Sequence, residues 1–234
     1  MINIPDRELR SFPLTDFAEN FYLLLNIRIQ VCYFLLVILS MESCARTVPD
    51  KSFIFSGQSN AKNIGLDTIT EVPNSDVLMF DGGQWVPARN PFPGEMMNRV
   101  YSGVSAWPAM GNEYENLTHR RVFLSGYANS GQNISHWDAE STGWRELVRA
   151  IHRGCMSHTT FVWYQGESDS TSTRKAFYAS NLQILISRVL AECKFENIVI
   201  VTLGDVNPEY ALNLDWDFAY IRNVQRTAIS GAII

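Results

Sequence analysis

From residue 51 onward, short runs of β-branched and aromatic residues alternate with amphipathic helical stretches. No other feature of the chain restricts its fold as much. Residues 159–164 (TTFVWY) leave no place for a polar side chain, as expected of a strand covered on both faces of a sheet. Strands are also expected at 52–56, 77–80, 121–125 and 197–203, and helices at 106–117, 143–152, 174–192 and 218–229. An Asp81-Gly82-Gly83 turn follows the second strand, and residues 87–94 read as irregular because of their Pro and Gly. The longest helix places Phe177, Leu182, Leu185, Ile186, Val189 and Leu190 at helical spacing. Strand–helix alternation of this kind predicts a parallel sheet wrapped by helices, in one domain over residues 51–234.

The first fifty residues read differently. Apolar runs at 21–25 and 31–39 are separated by Asn26, Arg28 and Gln30. The second run falls well short of the roughly 20 residues that span a bilayer, but it suits the apolar region of an export signal. The competing readings are a start upstream of the true Met41, or a helix packed on the domain. Secretion or membrane anchoring is therefore left open, and any membrane contact is confined to this segment.

A formal net charge of −5 argues against nucleic acid as a partner. The four cysteines, Cys32, Cys44, Cys155 and Cys193, have no metal-knuckle or C-x-x-C spacing, so neither a metal site nor a dithiol centre is expected. Cys155 and Cys193 each follow a helix. Two buried thiols are the expected state, with a disulfide as the alternative in an oxidising compartment.

Ligands of open α/β sheets bind beyond the carboxyl ends of the strands, so the segments just after the strands carry the chemistry. Three are unusually polar and small. After the first strand comes Gly57-Gln58-Ser59-Asn60-Ala61, where a serine at a strand-to-helix junction can present its hydroxyl to the crevice. A plain helix cap explains such a serine equally well. After residues 121–125, the loop from Asn129 to Trp137 contains Gly131, Gln132, Asn133 and His136. Gly131 can offer a bare N–H, and Asn133 or Gln132 a side-chain donor. After the most buried strand comes Gln165-Gly166-Glu167-Ser168-Asp169, an amide, a flexible glycine and two carboxylates. Asp169 alternatively caps the following helix.

Taken together, GQSN, the Gly131 loop ending in Trp137, and QGESD resemble the sialate O-acetylesterase and acetylxylan esterase branch of the SGNH hydrolases, carbohydrate esterase family six. The stretch VLMFDGGQW at 77–85 resembles that branch as well. The resemblance implies a three-layer α/β/α, flavodoxin-like domain that removes acetyl groups from carbohydrate through an acyl-enzyme, without a cofactor. It implies Ser59 as nucleophile and Glu167 as the carboxylate beside the catalytic base. The oxyanion hole would consist of the N–H groups of Ser59 and Gly131 with an amide from Gln165, or failing that Asn133. Gln58, Asn60, Trp137 and Asp169 are expected to line the substrate site. Gln132 stands where the family often has a second glycine, and Ser168 where the wider group has asparagine.

A serine hydroxyl needs a general base, which the family supplies from an Asp-x-x-His motif near its C-terminus. Residues Asn116, Asn133, Arg149 and Cys155 precede the four histidines by three places, so none fits. Residues 223–229 resemble the helix before that motif, which is therefore expected beyond Ile234. Among resident histidines only His136 lies in a crevice loop. The sequence thus supports an acetylesterase whose 234 residues lack the base. The alternatives are a carbohydrate-binding pseudoenzyme of the same fold and an esterase acting on lipids. Trp85, Trp107, Trp137 and Trp163 at the cleft edges would suit a sugar, with core packing as the commoner fate of tryptophan.

Overall fold

The computed structural model describes residues 48–62, 74–92, 103–205 and 215–227. The expected N-terminal apolar segment lies outside them. Among the described residues six strands are formed: β1 (Lys51–Gly57), β2 (Val77–Asp81), β3 (Gln84–Pro87), β4 (Val122–Ala128), β5 (Thr159–Tyr164) and β6 (Asn197–Ile200). Four helices accompany them: α1 (Trp107–Thr118), α2 (Thr142–Gly154), α3 (Lys175–Glu192) and α4 (Phe218–Thr227). Among the described residues none of these helices is long and apolar enough to cross a membrane.

The strands form one sheet in the order β3-β2-β4-β1-β5-β6. Every pairing is parallel except β2 with β3, so the sheet is mixed rather than purely parallel as expected. The reason is local. Gly82 and Gly83 both have positive φ (54° and 88°), the backbone of a two-residue hairpin turn. That turn folds Gln84–Pro87 back on β2 as an edge strand, where Pro87 interrupts no interior ladder. Setting the hairpin aside, β4-β1-β5-β6 keeps the flavodoxin-like order, with the chain leaving β1 toward both sides.

Period-two alternation divides the core between the two faces. Phe53 and Phe55 point to one side, where Phe53 meets Tyr114 edge-on (5.1 Å) and Phe55 stacks on Trp107 (4.5 Å), both from α1. Ile54, Phe161 and Trp163 point to the other, against Leu147 and Ile151 of α2 and Leu182, Leu185 and Val189 of α3. Helices on both faces make the three layers expected. Helix α2 begins at Thr142 because the Ser141 hydroxyl accepts from Trp144 N–H (3.0 Å) and donates to the His136 carbonyl (2.6 Å). On α3, Phe177 and Leu190 face solvent (65% and 50% exposed) instead of joining the apolar stripe.

The expectation of free thiols is overturned. Cys155, after α2, and Cys193, after α3, are joined in a disulfide with their Cα atoms 6.0 Å apart. Two helices packed side by side on one face end next to each other, and sequence separation alone does not reveal this.

Candidate active site

Strand register brings the three polar loops to one edge. Gly57, the last residue of β1, lies opposite Ala128 of β4 on one side and Tyr164 of β5 on the other. The GQSN turn, the Gly131 loop and the QGESD turn therefore leave the sheet at the same level. Backbone bonds continue the ladder past the strands, with Asn129 N–H donating to Gly57 O (3.0 Å) and Gln58 N–H to Tyr164 O (3.2 Å). Gly57 has φ of 150°, and a Cβ there would sit 1.9 Å from the Tyr164 carbonyl oxygen, so only glycine fits.

The side chain of Gln165 ties these loops together. It is fully buried, and its amide nitrogen donates to Gln58 Oε1 (3.1 Å), to the Gln132 carbonyl (3.2 Å) and to Asp169 Oδ2. Residue 58 precedes the candidate nucleophile and residue 132 follows the candidate oxyanion glycine, so one amide locks both beside the third loop. Asp169 adds a further tie by accepting from Ile134 N–H (2.8 Å). Burial raises the Asp169 pKa, against the opposing hydrogen bonds from Gln165 and Ile134 N–H and the nearby Arg174 charge.

Ser59 opens a short 3₁₀ turn (Ser59–Ala61) and is half-buried. The next residue, Asn60, donates its amide to Glu167 Oε1 across the crevice. The other carboxylate oxygen of Glu167 is buried without a hydrogen-bond partner. Burial pushes the Glu167 carboxyl up to about 6; bonds from backbone N–H groups and Asn60 oppose the shift, and nearby Asp169 adds to it. A partly desolvated carboxyl bonded to Asn60, the neighbour of Ser59, makes Glu167 a candidate for proton chemistry. Gly131 is exposed, with φ of 69° and no atom within 4 Å of where a Cβ would lie, so its backbone is open to a ligand. Asn133 is half-buried, and its Oδ1 accepts from the Ser135 hydroxyl (2.6 Å).

Several expected roles need correction. Gln58 (3% exposed) and Asp169 (3%) are buried struts between loops and do not line a substrate site. Trp137 (1%) packs edge-on against Trp163 at 5.1 Å, inside the core. Trp163 and Trp107 are core residues too, so the row of cleft-edge tryptophans does not exist. Trp85 stays half-buried on the edge strand, between Phe80 and Phe123. The Gln165 amide, expected in the oxyanion hole, is already committed to three acceptors.

The histidines are equally informative. His119 caps the end of α1 in the left-handed conformation (φ 55°), and His158 directly precedes β5; both lie at the opposite edge of the sheet from Ser59. His152 pairs with Glu192 (2.8 Å) where α2 and α3 end. His136 alone sits at the crevice edge. Its Nε2 meets the Tyr127 hydroxyl (3.1 Å) and the Asn129 amide nitrogen (3.3 Å). These two contacts hold the Nε2 edge of the ring against the end of β4. Burial lowers the His136 pKa, in keeping with a neutral ring. The histidine expected beyond residue 234 lies outside the described residues. Among those residues no cluster of His, Cys, Asp or Glu suits a metal ion.

Two supporting residues, Tyr178 and Gln225, escaped the sequence reading, and Trp107 has a role there that it did not foresee. Trp107 Nε1 donates to the Ala61 carbonyl (2.9 Å) and pins the GQSN turn. The main-chain oxygen of Gln165 accepts from Tyr178 (2.9 Å) and from Gln225 Nε2 (2.8 Å), while Gln225 Oε1 takes Leu203 N–H (3.1 Å). Gln225 is fully buried and lies four residues from Ile221 on the inward face of α4. A polar residue inside an apolar stripe was the available signal.

The fold has counterparts among solved structures. In solved structures, a protein from Arabidopsis thaliana has a similar fold at a TM-score of 0.66 and 21% identity, covering 80% of this chain and 84% of that one. The crystal structure of NanS is similar at 0.59 and 14%, with 80% and 78% covered. A carbohydrate acetylesterase from Xanthomonas citri is similar at 0.54 and 17%, covering 77% of this chain and 48% of that one. No curated protein sequence matches the chain. Residues 49–229 match the family described as carbohydrate esterase, sialic acid-specific acetylesterase. Most of the chain lies within that match, and it belongs to this family of carbohydrate esterases.

Proposed function

We propose that Ser59 is the nucleophile of a carbohydrate O-acetylesterase working through an acyl-enzyme. The hydroxyl oxygen attacks the acetyl carbonyl, its proton passes to a base, and the sugar oxygen leaves with a proton. Water then attacks the acetyl-serine, releasing acetate and restoring Ser59. Negative charge on the carbonyl oxygen is received by the N–H groups of Ser59 and Gly131, with the Asn133 amide as third donor. Glu167 orients an imidazole and stabilises its cationic form, and Asn60 holds the carboxylate for that task. The observation that supports the reading is the Gln165 amide bonded to both Gln58 and Gln132, which ties the GQSN turn to the Gly131 loop.

None of the four histidines is bonded to Ser59, and the one at the crevice edge is held at Nε2 by Tyr127 and Asn129. These 234 residues by themselves are therefore slow, by about four to six powers of ten relative to a complete triad. The same observation favours a second reading, a carbohydrate-binding pseudoenzyme.

The test is acetate release from p-nitrophenyl acetate, acetylated xylooligosaccharide and O-acetylated sialic acid, by the purified chain and by Ser59→Ala. The expected outcome is weak hydrolysis that the substitution removes. Turnover at ordinary enzyme rates would overturn the missing base, and hydrolysis indifferent to Ser59→Ala would overturn the nucleophile. Binding of acetylated sugar without any Ser59-dependent release would establish the pseudoenzyme.

A further inference from the structure

The loop that carries Glu167 is bound to a second segment at the same edge of the sheet. Thr171 pairs with Trp216 in an isolated antiparallel bridge, and Asp217 N–H donates to the Ser170 carbonyl (2.8 Å). Asp217 also starts α4, accepting Tyr220 N–H on one oxygen (2.9 Å) and Lys175 Nζ on the other (2.7 Å). Trp216 is thus braced from both sides, yet it stays 39% exposed. Its indole stacks on Phe218 at 5.5 Å and 19°, and Phe218 in turn packs against the core below. Phe218 stacks on the indole, and the residue as a whole keeps 39% of its surface open to solvent. Beside it, Asp215 is exposed and held by Ser172 N–H (3.2 Å).

A rigid, half-exposed indole with a fixed carboxylate at its flank suits one kind of ligand. A pyranose has an apolar C–H face that stacks on an aromatic ring, and a fringe of hydroxyls that donate to carboxylates. A lipid would require a contiguous apolar patch, whereas this indole is bordered by Asp215, Ser172 and the Lys175–Asp217 pair. We propose that Trp216 is a stacking platform for a sugar ring of the acetylated substrate, with Asp215 accepting from its hydroxyls, on the rim beside the Glu167 loop. This subsite rests on the esterase reading of Ser59.

The test is calorimetric titration of acetylated xylotetraose and of O-acetylated sialic acid in the Ser59→Ala background, so that neither ligand is consumed. Trp216→Ala weakens binding of at least one of them about tenfold, the equivalent of one good aromatic contact, and Trp216→Phe restores most of it. Because the side chain is exposed, circular dichroism and the melting transition of Trp216→Ala should match the parent. Affinity for both sugars within twofold of the parent would overturn the subsite, and Ser59-dependent acetate release would then leave the esterase reading standing. Absence of both sugar binding and acetate release would sink the two together.

Discussion

Glu167 links stability to the proposed chemistry, and the link has a measurable sign. Burial holds its carboxyl at about 6 against an ordinary value of 4.5, so the folded chain binds the proton more tightly than the unfolded one. The stability contributed by that proton is complete below pH 4.5 and is lost as pH rises through about 6. The interval from 4.5 to about 6, at roughly 1.36 kcal/mol per unit, amounts to about 2 kcal/mol. Glu167→Gln removes this titration while keeping an oxygen to accept from Asn60. It also places an amide nitrogen where the carboxylate oxygen has no partner, which adds a cost independent of pH. The diagnostic quantity is therefore the difference between the two proteins as a function of pH. Urea unfolding followed by tryptophan fluorescence at pH 4 and pH 8 should show Glu167→Gln gaining about 2 kcal/mol on the parent across that range. An unchanged difference between the two pH values would show that Glu167 is not desolvated, and its assignment as a tuned carboxylate would fail.

Two further outcomes follow from the scaffold beneath the site. Gly57→Ala forces a Cβ against the Tyr164 carbonyl at positive φ, and should cost about 3–5 kcal/mol in urea unfolding with loss of any Ser59-dependent activity. Replacing Cys155 and Cys193 together by serine opens a cross-link between residues 38 apart in sequence, and should lower stability by about 4 kcal/mol. Dithiothreitol should reproduce that loss in the parent and leave the double variant unaffected.

Much of the candidate site was legible because its signals are local. GQSN, the Gly131 loop and QGESD each follow an apolar run, and a parallel sheet places all such junctions at one edge. The strand at 159–164 was readable to the residue because burial on both faces leaves no ambiguity of phase. β3 was not, since a four-residue edge strand containing Pro87 has neither alternation nor a buried face. Expected ligand contacts at Gln58, Trp137 and Asp169 failed for another reason. Polar or aromatic type marks a residue as able to bind, but the direction of its side chain depends on loops distant in sequence.

The order of amino acids by itself determined the layered α/β domain, the family and the three loops that hold Ser59, Gly131 and Glu167. Each follows from hydrophobic period or from a contiguous motif. Only the tertiary structure decided that Gln165 spends its amide on Gln58 and Gln132, that Cys155 meets Cys193, and that Gln225 braces the same turn from α4. Those are contacts between residues 33 to 107 positions apart, fixed by how helices and strands pack and not by any local preference.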